Sequence, residues 1–173
     1  MFIVSLVAGA VAAAEASTST NPLALAEDGL LQCYRPDVSK KTCRMIASYI
    51  KTGPGTYDNK AIVAVSSEGP VSVETHTPVT VRDGAVCGLV RTQEIRAGTL
   101  RIADRVVAAP DAQPVLERVV RVVAAWDGQE TCTRYEPTGS DFTAKISIEG
   151  TYRPDLDTKI KWISAGDGYS VRP

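Results

Sequence analysis

The chain has 173 residues, 44% of them hydrophobic, with 19 basic against 20 acidic side chains and a formal net charge of −1. That length suits one domain with a sizeable core, and balanced charge leaves no basic excess to neutralise phosphates, so nucleic acid is not an expected partner. No segment approaches the roughly 20 consecutive apolar residues that a spanning helix needs, so no membrane span is expected.

Phe2 to Ala14 reads FIVSLVAGAVAAA, an apolar stretch that ends in small residues. Ala12-Ala13-Ala14 and Ala14-Glu15-Ala16 both fit the A-x-A pattern of a signal-peptidase site, and Ala24-Leu25-Ala26 is a more distal match. No Lys or Arg precedes the stretch, a departure from the usual signal. Residues 1–16 are read as a signal peptide, 17–29 as a flexible lead-in and 30–173 as a single domain, periplasmic or secreted. Removing residues 1–16 takes away one acid, Glu15, and leaves acids and bases equal. The first cysteine after the apolar run is Cys33, too distant for a lipid anchor.

Four cysteines behind an export signal suit an oxidising compartment. Four allow three connectivities; the expected pairs are Cys33–Cys43, closing a short loop, and Cys87–Cys132, tying two distant strands. A metal site needs clustered Cys and His at ligand spacing, whereas these cysteines are scattered and the single histidine lies far from them. No metal or cofactor is expected, and without a C-x-x-C motif the cysteines read as structural.

Pro36 to Tyr49 reads as a first helix, with Asp37 near its start and Val38, Thr42, Ile46 and Tyr49 recurring every three or four residues. Gly53-Pro54-Gly55 ends it. Ala61 to Val65 is a short apolar run of strand length. Val71 to Val81 alternates strictly, with Val and Thr on one face and Ser72, Glu74, His76 and Pro78 on the other. Pro78 cannot donate a ladder bond, which predicts an edge strand or a bulge. Asp83-Gly84 is a strong hairpin signal, and a weaker hairpin is centred on Asp104-Arg105.

Asp111 to Trp126 is the second predicted helix, capped by Asp111 and tolerating Pro114 in its first turn. Val115, Val119, Val122 and Trp126 form its buried row, flanked by Leu116, Val120 and Val123, and Gly128 terminates it. Glu130 to Glu136, Phe142 to Glu149 and Thr158 to Ile163 read as strands, with a last short one near Tyr169 to Val171. The expected fold class is α+β: a mainly antiparallel sheet with two packed helices, stapled by disulfides.

Candidate chemistry is sparse. His76 is the sole histidine, and Glu74 on the same strand face can orient its ring; these two are the catalytic candidates, although no G-x-S-x-G elbow supplies a nucleophile. The preferred reading of the pair is an ordinary surface histidine on a half-solvated edge strand. Asp155, Asp157 and Asp167 do not match the calcium-loop pattern and read as turn residues. Gly53-Pro54-Gly55-Thr56 lacks the Lys-Ser/Thr ending of a phosphate loop. Trp126 and Trp162 read as core, and Tyr34, Tyr57, Tyr135, Tyr152 and Tyr169 suit either core packing or a ligand surface.

The segments Leu31-Gln32-Cys33-Tyr34 with Pro36-Asp37, Lys41-Thr42-Cys43-Arg44, Gly84-Ala85-Val86-Cys87-Gly88, and Lys161-Trp162 with Ser164 and Asp167-Gly168-Tyr169 resemble a group of small uncharacterised exported proteins of Gram-negative bacteria. The resemblance implies an exported protein with four structural cysteines, and it implies no activity. The sequence thus leads to a non-enzymatic periplasmic or secreted domain that binds another protein or an envelope component, a protease or lysozyme inhibitor being one form of it. The rival expectation is a small hydrolase that uses His76.

Overall fold

Period-two alternation governs most of the chain, and its consequence is a sheet that closes on itself. The computed structural model describes residues 21–173; the expected signal peptide and its junctions at Ala14 and Ala16 lie outside the described residues. Eight antiparallel strands form the barrel: β1 (Leu31–Tyr34), β3 (Met45–Gly53), β4 (Thr56–Ala64), β5 (Val71–Arg82), β6 (Ala85–Leu89), β9 (Glu130–Thr138), β10 (Asp141–Ile148) and β12 (Thr158–Ile163). Each pairs with the next in that order, and β12 returns to β1, so the topology is an up-and-down meander. Closure removes the exposed edges that an open sheet of this size would carry.

The remaining elements are excursions from this meander. β2 (Thr42–Cys43) lies in the β1–β3 loop and pairs in parallel with the final strand β13 (Ser170–Val171). Between β6 and β9 come α2 (Thr92–Arg96), the hairpin β7 (Thr99–Ile102) and β8 (Arg105–Val106), and α3 (Ala109–Val123). β11 (Thr151–Tyr152) folds back on β10. At the other end α1 (Ala24–Glu27) follows a turn that places Leu23 at 0% exposure.

This overturns the expected α+β class. Among the described residues strand makes up 49% against 22% helix, and only α3 is a substantial helix. The predicted helix over Pro36–Tyr49 is a disulfide-closed loop followed by β2 and the first half of β3. Asp37 does not cap a helix; its carboxylate accepts from the Lys40 amide and the Ser39 hydroxyl in a tight turn. The second predicted helix exists, but its buried row is Ala112, Leu116 and Val120, and Val122 is 75% exposed. Ala108 is its N-cap, without a side-chain bond, so Asp111 is not the cap.

The strand carrying Pro78 is paired on both sides at its ends and open on one side around Pro78. β5 pairs with β4 from Ser72 to Thr80. On its other side it bonds β7 through Val71–Glu74 and β6 through Thr80–Arg82. Among the described residues Thr75 to Val79 therefore face no strand on that side, and Pro78 sits in this split, where a missing N–H costs little. The Asp83-Gly84 hairpin forms as expected from its left-handed residues, with φ of 51° and 72°. The β7–β8 turn has its left-handed residues at Ala103 and Asp104, one position earlier than predicted.

The structure joins Cys33 to Cys43 and Cys87 to Cys132. Cys87 and Cys132 are directly opposed on β6 and β9. The Cys33–Cys43 bond lies outside the barrel in a small core with Ile163, Leu31, Ile46 and Tyr169. No helix among the described residues is long and apolar enough to cross a membrane.

The part of residues 17–29 that is described packs against the barrel and is not a loose lead-in. Leu23 and Ala26 plug one end of the barrel, against Tyr57 and Val86. Glu27 accepts from the Tyr57 hydroxyl at 2.6 Å and pairs with Lys51 at 2.9 Å. A second core lies where α3 covers the Val73 and Leu100 faces of β5 and β7.

Candidate functional site

Inward residues alternate along every barrel strand, and their sizes divide the interior into two halves. Near α1 the space is filled by Leu23, Tyr57, Val79, Val81, Val86 and Trp162. Towards α2 many inward positions are small, among them Ala47, Ala61, Thr75, Gly88, Thr131 and Thr133, while Met45, Ile146 and Ile148 are the larger ones. An eight-stranded barrel is just wide enough for its own side chains to fill, or, where they are small, to hold one small ligand. Here they leave a cavity of about 290 Å³.

Three tyrosines rise into this cavity from the filled half. Tyr34, Tyr49 and Tyr135 each donate to Gln32 Oε1, at 3.0, 2.9 and 3.2 Å. Their hydroxyls also lie close to one another, Tyr34 to Tyr135 at 3.1 Å and Tyr49 to Tyr135 at 3.3 Å. Burial, then the neighbouring hydroxyls, push Tyr34 and Tyr49 well above the usual phenol range, so both stay protonated. Gln32 is at 0% exposure, and its Nε2 has no partner among the described residues.

A second cavity of about 220 Å³ adjoins the first, and the two share Val90, Thr131 and Thr133. Its other walls are Ile146 and Ile148 of β10, Trp126 beyond α3, and Leu156 in the β11–β12 loop. The hollow half of the barrel thus has a polar side and an apolar side. On the polar side, Asn59 Nδ2 donates to the Ser48 carbonyl at 3.3 Å, and Thr77 Oγ1 donates to Glu94 Oε2 at 2.7 Å. That second bond ties α2 across the split in β5. The hydroxyls of Thr75 and Thr133 bond no other group among the described residues.

The predicted candidates lie on the opposite face of the sheet. Glu74 and His76 point outward from β5, and the His76 side chain is 54% exposed. Its Nδ1 lies 2.7 Å from Asp58 Oδ2, and its Nε2 faces Glu74 Oε1 at 3.9 Å. Lys60 and Arg101 also pair with Glu74. Burial works to raise the Glu74 pKa, but these cations outweigh it and hold the carboxyl below its usual range. Both ring nitrogens of His76 therefore face carboxylates, and among the described residues no hydroxyl bonds either of them. Asp58 escaped the sequence reading because its contact with His76 comes from strand pairing, not from sequence spacing.

Asp155, Asp157 and Asp167 are likewise separate: Asp155 pairs with Arg153, Asp157 with Lys145, and Asp167 closes a capping box with Ser164. Among the described residues no three His, Cys, Asp or Glu side chains gather as metal ligands. Gly53-Pro54-Gly55 is the turn between β3 and β4. A larger concavity of about 600 Å³ lies on the outer face around the Cys87–Cys132 bond. Arg82, Arg134 and Lys145 alternate there with Asp83, Glu130 and Glu136, so it presents no field of one sign.

Tyr34 and Tyr135 were legible as candidate ligand-facing aromatics, but Tyr49, Asn59, Thr75, Thr77 and Glu94 were not. The available signal was the small residues alternating on β3, β4 and β9, which matter only once the sheet is known to close. Comparison of the chain with protein-family models, with curated proteins and with solved structures finds no match.

Proposed function

We propose that this chain is a non-enzymatic periplasmic or secreted domain that holds a small molecule in the lumen of its barrel. The observation that carries this reading is the hollow half of the barrel, where many inward residues are small although the other half is packed with large ones. A closed sheet has every reason to fill its interior, because an empty volume forfeits dispersion contacts. Two disulfides and the absence of a membrane-crossing helix among the described residues are compatible with an extracellular or periplasmic protein.

The geometry gives the hydrolase reading no support, since His76 is exposed and flanked by acids. A protein partner has one feature in its favour: among the described residues β8 is the outermost strand of the sheet, and Ile102, Val106 and Val122 are exposed on or near it. Strand addition at such an edge is a known recognition mode.

The test is to incubate the purified chain with a small-molecule extract of the cell envelope, remove unbound material, and identify retained compounds by mass spectrometry. The reading expects a compound retained by the native chain and lost in Val90→Trp, which fills the wall shared by both cavities. Equal retention by the two proteins would refute it. Capture of an envelope protein abolished by Val106→Lys would favour the edge-strand alternative. An activity lost in His76→Ala would revive the hydrolase.

A further inference from the structure

We propose that the lumen is built for an uncharged amphipathic molecule, bound with its polar head among Thr75, Thr77 and Asn59 and its apolar body against Trp126, Ile146 and Leu156. This rests on the reading of the lumen as a binding site and adds the chemical class and orientation of what it holds.

Charge is the first argument. Among the described residues lining the two cavities the only charged ones are Arg91 and Glu94, and they face each other at 3.8 Å. An anion placed deeper would meet no cation and would lie near the Glu94 carboxylate, and a buried charge without a partner is strongly disfavoured. A cation would need Glu94, whose oxygens already serve Thr77 and Arg91. Neutral tyrosines complete this wall, since burial keeps the Tyr34 and Tyr49 hydroxyls protonated.

Polarity is the second. Thr75 contributes a hydroxyl with no internal bond among the described residues, and the Asn59 amide uses its Nδ2 on a backbone carbonyl, leaving Oδ1 to accept. Apart from the two shared threonines, the adjoining chamber is walled by aliphatic side chains and the Trp126 indole. A molecule with a hydroxyl or carbonyl at one end and a flat hydrocarbon at the other matches both walls at once.

Four naphthalene probes separate the possibilities by titration calorimetry at neutral pH: 2-naphthol, naphthalene, naphthalene-2-carboxylate and 2-naphthylmethylamine. The proposal expects 2-naphthol to bind most tightly and the two charged probes at least tenfold more weakly. Thr75→Val, which keeps the shape and removes the hydroxyl, should weaken 2-naphthol by about tenfold, the worth of one buried hydrogen bond, and leave naphthalene unchanged. Val90→Trp should abolish binding of every probe, with Thr133→Leu as a second blocking variant should Val90→Trp fold poorly.

If all four bind alike and the blocking variants abolish binding, the lumen reading stands and the polarity assignment is overturned. Tightest binding of the carboxylate or the amine overturns it as well. If no probe binds, or binding survives both blocking variants, the lumen reading itself fails and this inference with it.

Discussion

Replacing Leu23 with Ala tests whether the segment before β1 is part of the folded barrel. Leu23 is at 0% exposure and packs with Ala26, Tyr57 and Val86 across the end of the barrel. Large-to-small changes at fully buried leucines cost about 2–5 kcal/mol, through lost transfer energy and the cavity left behind. The barrel end can collapse only partly, because Tyr57 is held by its bond to Glu27, so a cost near the middle, about 3 kcal/mol, is expected. At roughly 2–4 °C per kcal/mol for a chain of this size, that lowers Tm by about 6–12 °C. Leu25→Ala is the internal control: it lies two residues on, within α1, but is 37% exposed, and its cost should stay within about 0.5 kcal/mol. Urea denaturation should show a lower midpoint for Leu23→Ala with an unchanged m value. Equal midpoints for the two variants would refute the plug. The result also bears on export, because cleavage after Ala26 would remove Leu23, whereas cleavage after Ala14 or Ala16 would spare it.

Acid should loosen the same end. Hydrogen bonds from Tyr57 and Lys51 hold the Glu27 pKa below its ordinary 4.5, so its contribution is complete above that value and lost as pH falls through the lower folded pKa. Glu27→Gln should flatten the acid limb of a stability–pH curve, and an unchanged limb would exclude the mechanism. Breaking the Cys87–Cys132 bond by double Ser substitution should cost about 3–4 kcal/mol, more than breaking Cys33–Cys43, because it closes a separation of 45 residues against 10. Comparative urea midpoints decide this, and the reverse order would count against the chain-entropy account. Gly98→Ala should cost about 1–3 kcal/mol by overpacking, since its new Cβ would lie 2.9 Å from the Glu74 carbonyl and 3.0 Å from that of Ile95; a thermal-shift assay showing no loss would mean that the α2–β7 turn yields.

Strand patterning was readable where the two faces differ in polarity. Thr158–Ile163 has the bounds the sequence predicted, and Phe142 to Ile148 alternates inward and outward as expected. The failure at Met45 to Ile50 has a specific cause. Met-Ile-Ala-Ser-Tyr-Ile places apolar residues on both faces of a strand, because Ile46 packs outside the barrel in the disulfide core while Met45, Ala47 and Tyr49 face the lumen. A segment buried on both sides loses period two and imitates a helix. Asp37 near the start of the predicted helix reinforced the imitation, although Lys41 has φ of 51°, which no α-helix allows.

The site was less legible than the fold because it is a property of closure. Ala47, Ala61 and Gly88 are unremarkable within their own strands, and each would suit an open sheet packed under a helix. Only when β12 returns to β1 and β4 meets β5 do these positions face one another across a shared interior. Smallness then acquires a meaning it lacks in one dimension, since each missing side chain removes atoms from the same volume. The tyrosines follow the same logic: 101 residues separate Tyr34 from Tyr135, yet one glutamine accepts from both. Gln32 sits between Trp162 on β12 and Ala47 on β3, next to the seam that closes the barrel. The polar group that organises the lumen therefore stands where the first and last strands meet, and the cavity and the closure depend on the same pairing.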